Sequence, residues 1–213
     1  MIPMSNRDLV VNRVVVFVSA LVYWAGVYIQ ARRIRRRIGR SPNVKPRGTK
    51  ERILWAGWFL VVLAWLTIPF LAGTGTCSLW VRIIPSLCGP VGLLLGIALV
   101  VGGYAGTLWC YAAMGNTWRI GVNRTEKTPL VRRGPFQFVR HPIYLFQVFM
   151  LAGMVFLLPA PISLLVLAGH IVCIRAKAAD EESYLRTVHG DEYGDYLSHS
   201  GRFFPKLRSR SRS

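Results

Sequence analysis

Four long runs free of Lys, Arg, Asp and Glu, at positions 14–31, 53–81, 83–118 and 141–174, constrain this chain most. A helix crosses the hydrocarbon core of a bilayer with about 20 apolar residues. A helix on the surface of a soluble protein needs a polar face, which these runs lack. They predict an all-α, polytopic membrane protein with about five transmembrane helices. The fourth run is too long for one span, and Pro159-Ala160-Pro161 divides it, so the last two spans form a helical hairpin. A polar, helical C-terminal tail follows from Lys177 and becomes irregular past Gly201.

The net charge of +18 suggests nucleic acid until its distribution is examined. Ten Lys or Arg lie between Arg32 and Arg52, six between Arg119 and Arg140, and eight between Arg175 and Arg212. These regions share a side if the chain crosses five times, which is the positive-inside bias of a membrane protein. The expected partners are therefore membrane lipids, not nucleic acid. The terminal Arg208-Ser209-Arg210-Ser211-Arg212-Ser213 is a solvated tail able to touch anionic headgroups. The first span, about Leu9 to Ile29, has its heavier charge after it, unlike a cleaved signal peptide. This predicts a retained span, with the N-terminus outside and the C-terminus cytosolic. The setting is a bacterial inner membrane, or the endoplasmic reticulum in a eukaryote.

The chain divides at the end of the third span. Residues 1–113 hold three N-terminal spans and the basic cytosolic loop 31–52, and residues 114–213 hold a connector, the hairpin and the tail. The second span, about Ile53 to Ala72, carries Trp55, Trp58 and Trp65, and Gly73-Thr74-Gly75-Thr76 marks its outer turn. The third, about Leu87 to Ala113, carries Gly92, Gly96, Gly102, Gly103 and Gly106, a spacing that permits close helix approach in lipid. Cys77, Cys88, Cys110 and Cys173 form no metal-ligand spacing, so no metal is expected. Cys77 and Cys88 share the outer loop, as a disulfide or as two thiols.

Polar residues gather at both ends of the hairpin. Arg140-His141-Pro142-Ile143-Tyr144 opens it, and Lys177 and Asp180-Glu181-Glu182 close it. Counted from Ala160, His141 lies 19 residues before the turn and Glu181 lies 21 after it. At about 1.5 Å per residue they differ in depth by only ~3 Å. Neighbouring helices lie roughly 8–10 Å apart, so His141 and Tyr144 should face Lys177, Glu181 and Glu182 across a polar pocket. Singly, Arg140 and His141 read equally well as interfacial anchors, and Glu181 and Glu182 as a solvated face; together, at one depth, they favour a site. His170 shares a helical stripe with Lys177 and Glu181. An ionisable group inside a span is a functional candidate, although a neutral histidine bonded to a neighbouring helix fits as well.

At these residues a family becomes recognisable. Val131-Arg132-Arg133-Gly134-Pro135-Phe136 through Arg140-His141-Pro142-Ile143-Tyr144 resembles the R-H-P-x-Y region of the isoprenylcysteine carboxyl methyltransferase family. Glu181-Glu182-Ser183-Tyr184-Leu185 resembles its E-E-x-x-L, and His189-Gly190, Tyr193, Tyr196 and Arg202-Phe203-Phe204-Pro205 resemble its closing segments. The first three spans match only as generic membrane helices.

The resemblance implies an S-adenosylmethionine-dependent methyltransferase acting on a lipophilic or lipid-anchored acceptor. It places the cofactor at Thr128, Pro129, Leu130, Val131, Phe136, His141, Pro142, Ile143, Tyr144 and Glu181. The family's substrate-contacting arginine falls on Lys177; a lipophilic acceptor entering sideways between spans would then set its head near Lys177 and its chain near His170 and Gln147. No residue is assigned a catalytic role. Three positions depart from the family: Phe136 replaces a tyrosine, Phe146 stands where a glycine usually follows, and Lys177 replaces an arginine. The last loses the bidentate fork that suits a carboxylate. The alternatives are a phospholipid N-methyltransferase, an NADPH-dependent membrane reductase and a non-catalytic membrane scaffold.

Overall fold

The computed structural model describes residues 6–39, 41–42, 46, 48–73, 79–84, 89–121 and 129–206. Thr128, Cys77, Cys88, the turn residues Thr74 to Thr76 and the Arg208–Ser213 tail lie outside the described residues. Within them run α1 (Asn6–Ile38), α2 (Thr49–Leu71), α3 (Pro90–Met114), α4 (Pro142–Leu157), α5 (Pro161–His189) and α6 (Asp191–His199). Short 3-10 turns occupy Leu79–Val81, Gly115–Thr117 and Gly134–Gln137.

The expected all-α membrane architecture is what forms. α1, α2, α3 and α5 are each long and apolar enough to cross a bilayer, and α4 is an apolar helix of 16 residues. Large apolar side chains, Phe59, Leu94 and Val172 among them, stay exposed on the outward faces, where lipid can cover them.

Contacts at both ends show the up-and-down order of the helices. At one end, the Asn12 side-chain amide donates to the Leu157 carbonyl at 2.9 Å, and Arg13 Nε donates to the Ala72 carbonyl at 3.0 Å. Ile84 N also donates to the Pro159 carbonyl at 2.8 Å. The start of α1, the end of α2 and the α4–α5 turn therefore meet on one face. These donors satisfy helix-end carbonyls that have no partner within their own helix. At the opposite end, Lys50 of α2 reaches Asp180 of α5 at 2.6 Å.

The hairpin turns at Leu158 to Ala160, as the two prolines predict. Pro161 takes the first position of α5, and Ser163 Oγ donates back to the Leu158 carbonyl at 2.8 Å.

The α3–α4 contact is the most intimate of the bundle, and glycines make it so. A methyl group added at Gly103 would lie 2.6 Å from the Phe146 carbonyl, and one at Gly106 would lie 2.3 Å from the Phe146 ring. Phe146, which departs from the family's glycine, thus fills space left by a glycine on the facing helix. Gly102 faces open space and does not take part in this packing.

α5 does not stop where its apolar run stops at Ile174; it continues as one rod to His189. The rod carries Lys177, Glu181 and Glu182 beyond the apolar stretch to the start of α4. The tail then turns at Gly190, forms α6 and returns along the connector. There Arg140 N donates to the Gly201 carbonyl at 2.8 Å, and His141 N donates to the Arg202 carbonyl at 3.1 Å.

Candidate functional site

A cavity of about 250 Å³ opens where the first turn of α4, the polar end of α5, the connector and α6 converge. Pro142 begins α4, so the backbone of His141 is held just before the helix, where the tail pairs with it. Three residues further, Tyr144 stacks on the His141 ring, with centroids 5.6 Å apart and planes 10° from parallel. Tyr144 Oη donates to Glu181 Oε1 at 2.6 Å. His141 Nδ1 lies 3.3 Å from Glu181 Oε2, and its Nε2 lies 3.3 Å from Glu182 Oε1. Burial works against a charged His141 ring, but the two carboxylates outweigh it and raise the pKa above its ordinary value.

Glu182 was expected to face the pocket with its neighbour, and here the structure differs. Consecutive residues on a helix point about 100° apart, so only Glu181 turns inward. Glu182 joins Arg140 Nε at 2.9 Å and Arg202 Nη2 at 2.6 Å. It ties the connector to the returning tail. Arg140 also donates to the Ser200 carbonyl, completing that clasp.

The connector forms the opposite wall. Arg133 Nε donates to the Ala113 carbonyl at 2.7 Å, anchoring the segment to the end of α3. The Gly134–Gln137 turn then places Phe136, whose carbonyl accepts a hydrogen bond from Tyr196 Oη at 2.5 Å.

Every residue assigned from sequence to the cofactor, apart from the undescribed Thr128, lines this one cavity: Pro129, Leu130, Val131, Phe136, His141, Pro142, Ile143, Tyr144 and Glu181. Lys177 and Gln147 line it as well. Lys177 Nζ lies over the rings of Trp55 and Trp58, at 5.8 and 5.5 Å from their centroids. His170 does not line the cavity; it is buried in the bundle, and neither ring nitrogen has a hydrogen-bond partner among the described residues.

The sequence reading missed the contribution of the first three spans. Tyr23 and Trp24 of α1, Trp58 of α2 and Tyr111 of α3 form the deep, aromatic part of the lining. The available signal was a set of phenols and one amide inside charge-free runs, since Gln147 Nε2 donates to Tyr23 Oη at 2.7 Å.

The chain is thus a polytopic helical membrane protein whose cavity is polar at the interface and aromatic within the apolar layer. The sequence model of the isoprenylcysteine carboxyl methyltransferase (ICMT) family matches residues 95–187, which span α3, the connector, α4 and almost all of α5. Over that segment the chain is similar to a family of membrane methyltransferases. No curated protein matches the chain.

Proposed function

We propose that the protein transfers a methyl group from S-adenosylmethionine to a lipophilic acceptor that reaches the cavity from the bilayer. The observation that carries this reading is the Tyr144–Glu181–His141 cluster on the wall of a single cavity, opposite Phe136 and the Pro129–Val131 segment.

The donor set suits such a cofactor. A carboxylate beside aromatic faces favours a cationic group, and a charged imidazole favours a carboxylate. Tyr193 Oη, on a cavity-lining residue, makes no hydrogen bond among the described residues. It is available to a polar ligand. When bound, the cofactor supplies an electrophilic methyl group on a sulfonium.

The residues of the chain bind and orient. Glu181, held in place by Tyr144, would accept hydrogen bonds from the cofactor's ribose or ammonium group. The His141 ring, held positive by the two carboxylates, would attract the cofactor's carboxylate, and Tyr144 would offer an aromatic face to the sulfonium. The chain's residues would assist an in-line transfer, in which the S–CH3 bond breaks as the acceptor's bond to the methyl forms and the neutral thioether leaves, by alignment and by exclusion of water behind the aromatic wall. In this reading residues 114–213 hold the donor and residues 1–113 supply the acceptor's wall. Lys177 lies between the two, and the site faces the cytosol, following the positive-inside bias of the loops.

Calorimetric titration of the purified protein with S-adenosylmethionine tests the assignment. Wild type should bind, and Glu181→Ala and His141→Ala should not, while both variants still insert and fold. Wild-type affinity in both variants would sink it.

A further inference from the structure

The deep end of the cavity contains a polar arrangement that donor binding leaves unused. Gln147 lies six residues beyond His141, about 9 Å further along α4 by helix rise, within the apolar run. Its amide Nε2 donates to Tyr23 Oη, while its Oε1 is buried and has no hydrogen-bond partner among the described residues. Tyr111 also interacts with Tyr23 through its hydroxyl. Turning the Gln147 amide over does not remove the mismatch. One polar atom of the amide stays unpaired either way, and a buried polar atom without a partner is disfavoured. All three side chains line the cavity.

Among the described residues, the arginines and the lysine on the lining are each engaged elsewhere, Arg119 through Nε to the Thr117 carbonyl at 3.3 Å. Arg140 is committed to Glu182 and the Ser200 carbonyl, and Lys177 lies against two tryptophan rings at the polar end. A ligand atom that completes the deep cluster must be neutral, because a charge there would enter the apolar layer unpaired. A hydroxyl group both donates and accepts, so it satisfies Gln147 in either orientation.

We infer that Gln147 and Tyr23 form the recognition site for the hydroxyl group of a neutral lipophilic acceptor, a phenol or an alcohol, and not for a carboxylate. This rests on the methyltransferase reading for the word acceptor, while the binding site stands on the Gln147–Tyr23 geometry alone. Selectivity should come from the hydroxyl, with the apolar chain held by the aromatic wall of α1 and α2.

Trp24, Trp58 and Trp118 on the lining provide a fluorescence signal. The protein in nanodiscs is titrated with 4-octylphenol, octylbenzene and decanoate, each corrected for partition into empty nanodiscs. 4-Octylphenol should bind roughly tenfold more tightly than octylbenzene, the worth of one buried neutral hydrogen bond. Gln147→Leu should reduce that ratio to near unity. Equal affinity for the two in wild type, tightest binding of decanoate, or an unchanged ratio in Gln147→Leu would overturn the inference. Should Gln147→Leu fail to fold, Tyr23→Phe decides, since it keeps the ring and removes the hydroxyl; the ratio should fall there too, and an unchanged ratio counts against the site. The same samples are titrated with S-adenosylmethionine. Absence of a phenol preference in wild type with donor binding intact refutes the hydroxyl site alone. A phenol preference without donor binding refutes the methyltransferase reading and leaves the site standing.

Discussion

Tyr144 Oη donates to Glu181 Oε1 at 2.6 Å, joining the first turn of α4 to a residue 37 positions later on α5. The bond closes the hairpin at its polar end, as the Leu158–Ala160 turn closes it at the other. It also fixes the carboxylate that faces the cavity. The two roles separate on substitution, because Phe at 144 preserves the stacking on His141.

Tyr144→Phe should therefore weaken binding of S-adenosylmethionine while leaving the fold in place. A hydrogen bond to a charged group is worth about 1.5–3 kcal/mol. The expected loss is roughly ten- to a hundredfold in affinity, read by calorimetry. An unchanged affinity would show that Glu181 needs no help to hold its position.

His141 makes stability depend on pH. Its folded-state pKa is raised above the ordinary 6.5 by the carboxylates of Glu181 and Glu182, against the effect of burial. The stabilising charge is then fully present below 6.5 and is lost as the pH rises through the higher folded value. Melting temperature should decline on the alkaline side of that ordinary value. His141→Asn, which cannot titrate, should flatten the decline. The same slope in both proteins would assign the effect to other groups.

The membrane architecture, the hairpin and the pairing of His141 with Glu181 are legible in sequence because each rests on a regular quantity. Charge-free run length gives spans, the Pro159–Pro161 break gives the turn, and helix rise equates depth on two helices. Glu182 was misplaced because depth was counted without rotation about the helix axis. Tyr23 was missed for a different reason. In an apolar run a tyrosine signals nothing until a partner such as Gln147, 124 residues away, faces it. His170, on the same stripe as Lys177, stops short of the cavity because the stripe enters the bundle core at that height.

Glu182 should matter to the fold more than its distance from the cavity suggests. Its side chain is only 4% exposed and that of Arg140 only 9%, while Arg202 is 42% exposed. Removing one partner of a buried pair leaves a charge uncompensated, at a cost of about 3–5 kcal/mol. Glu182→Ala should lose stability on that scale in SDS-induced unfolding. Arg202→Ala, removing the more exposed partner, should cost about 1 kcal/mol or less. Equal losses in the two variants would contradict the view that Arg140–Glu182 is the inner half of the clasp.

Phe146 and Gly106 should be coupled. A methyl group at Gly106 would sit 2.3 Å from the Phe146 ring, too close for either helix to accept without moving. Overpacking of this kind costs about 1–3 kcal/mol. The ring lies on a helix whose next turn packs Met150 against Gly103, so α4 cannot retreat locally without opening that contact as well. Gly106→Ala should therefore destabilise strongly with Phe146 present and only weakly in a Phe146→Ala background. Double-mutant analysis of SDS unfolding should give a coupling of about 0.5–3 kcal/mol between the two sites. Additive effects would mean that the ring swings aside freely, and the family's glycine position would then be exchangeable without a matching glycine on α3.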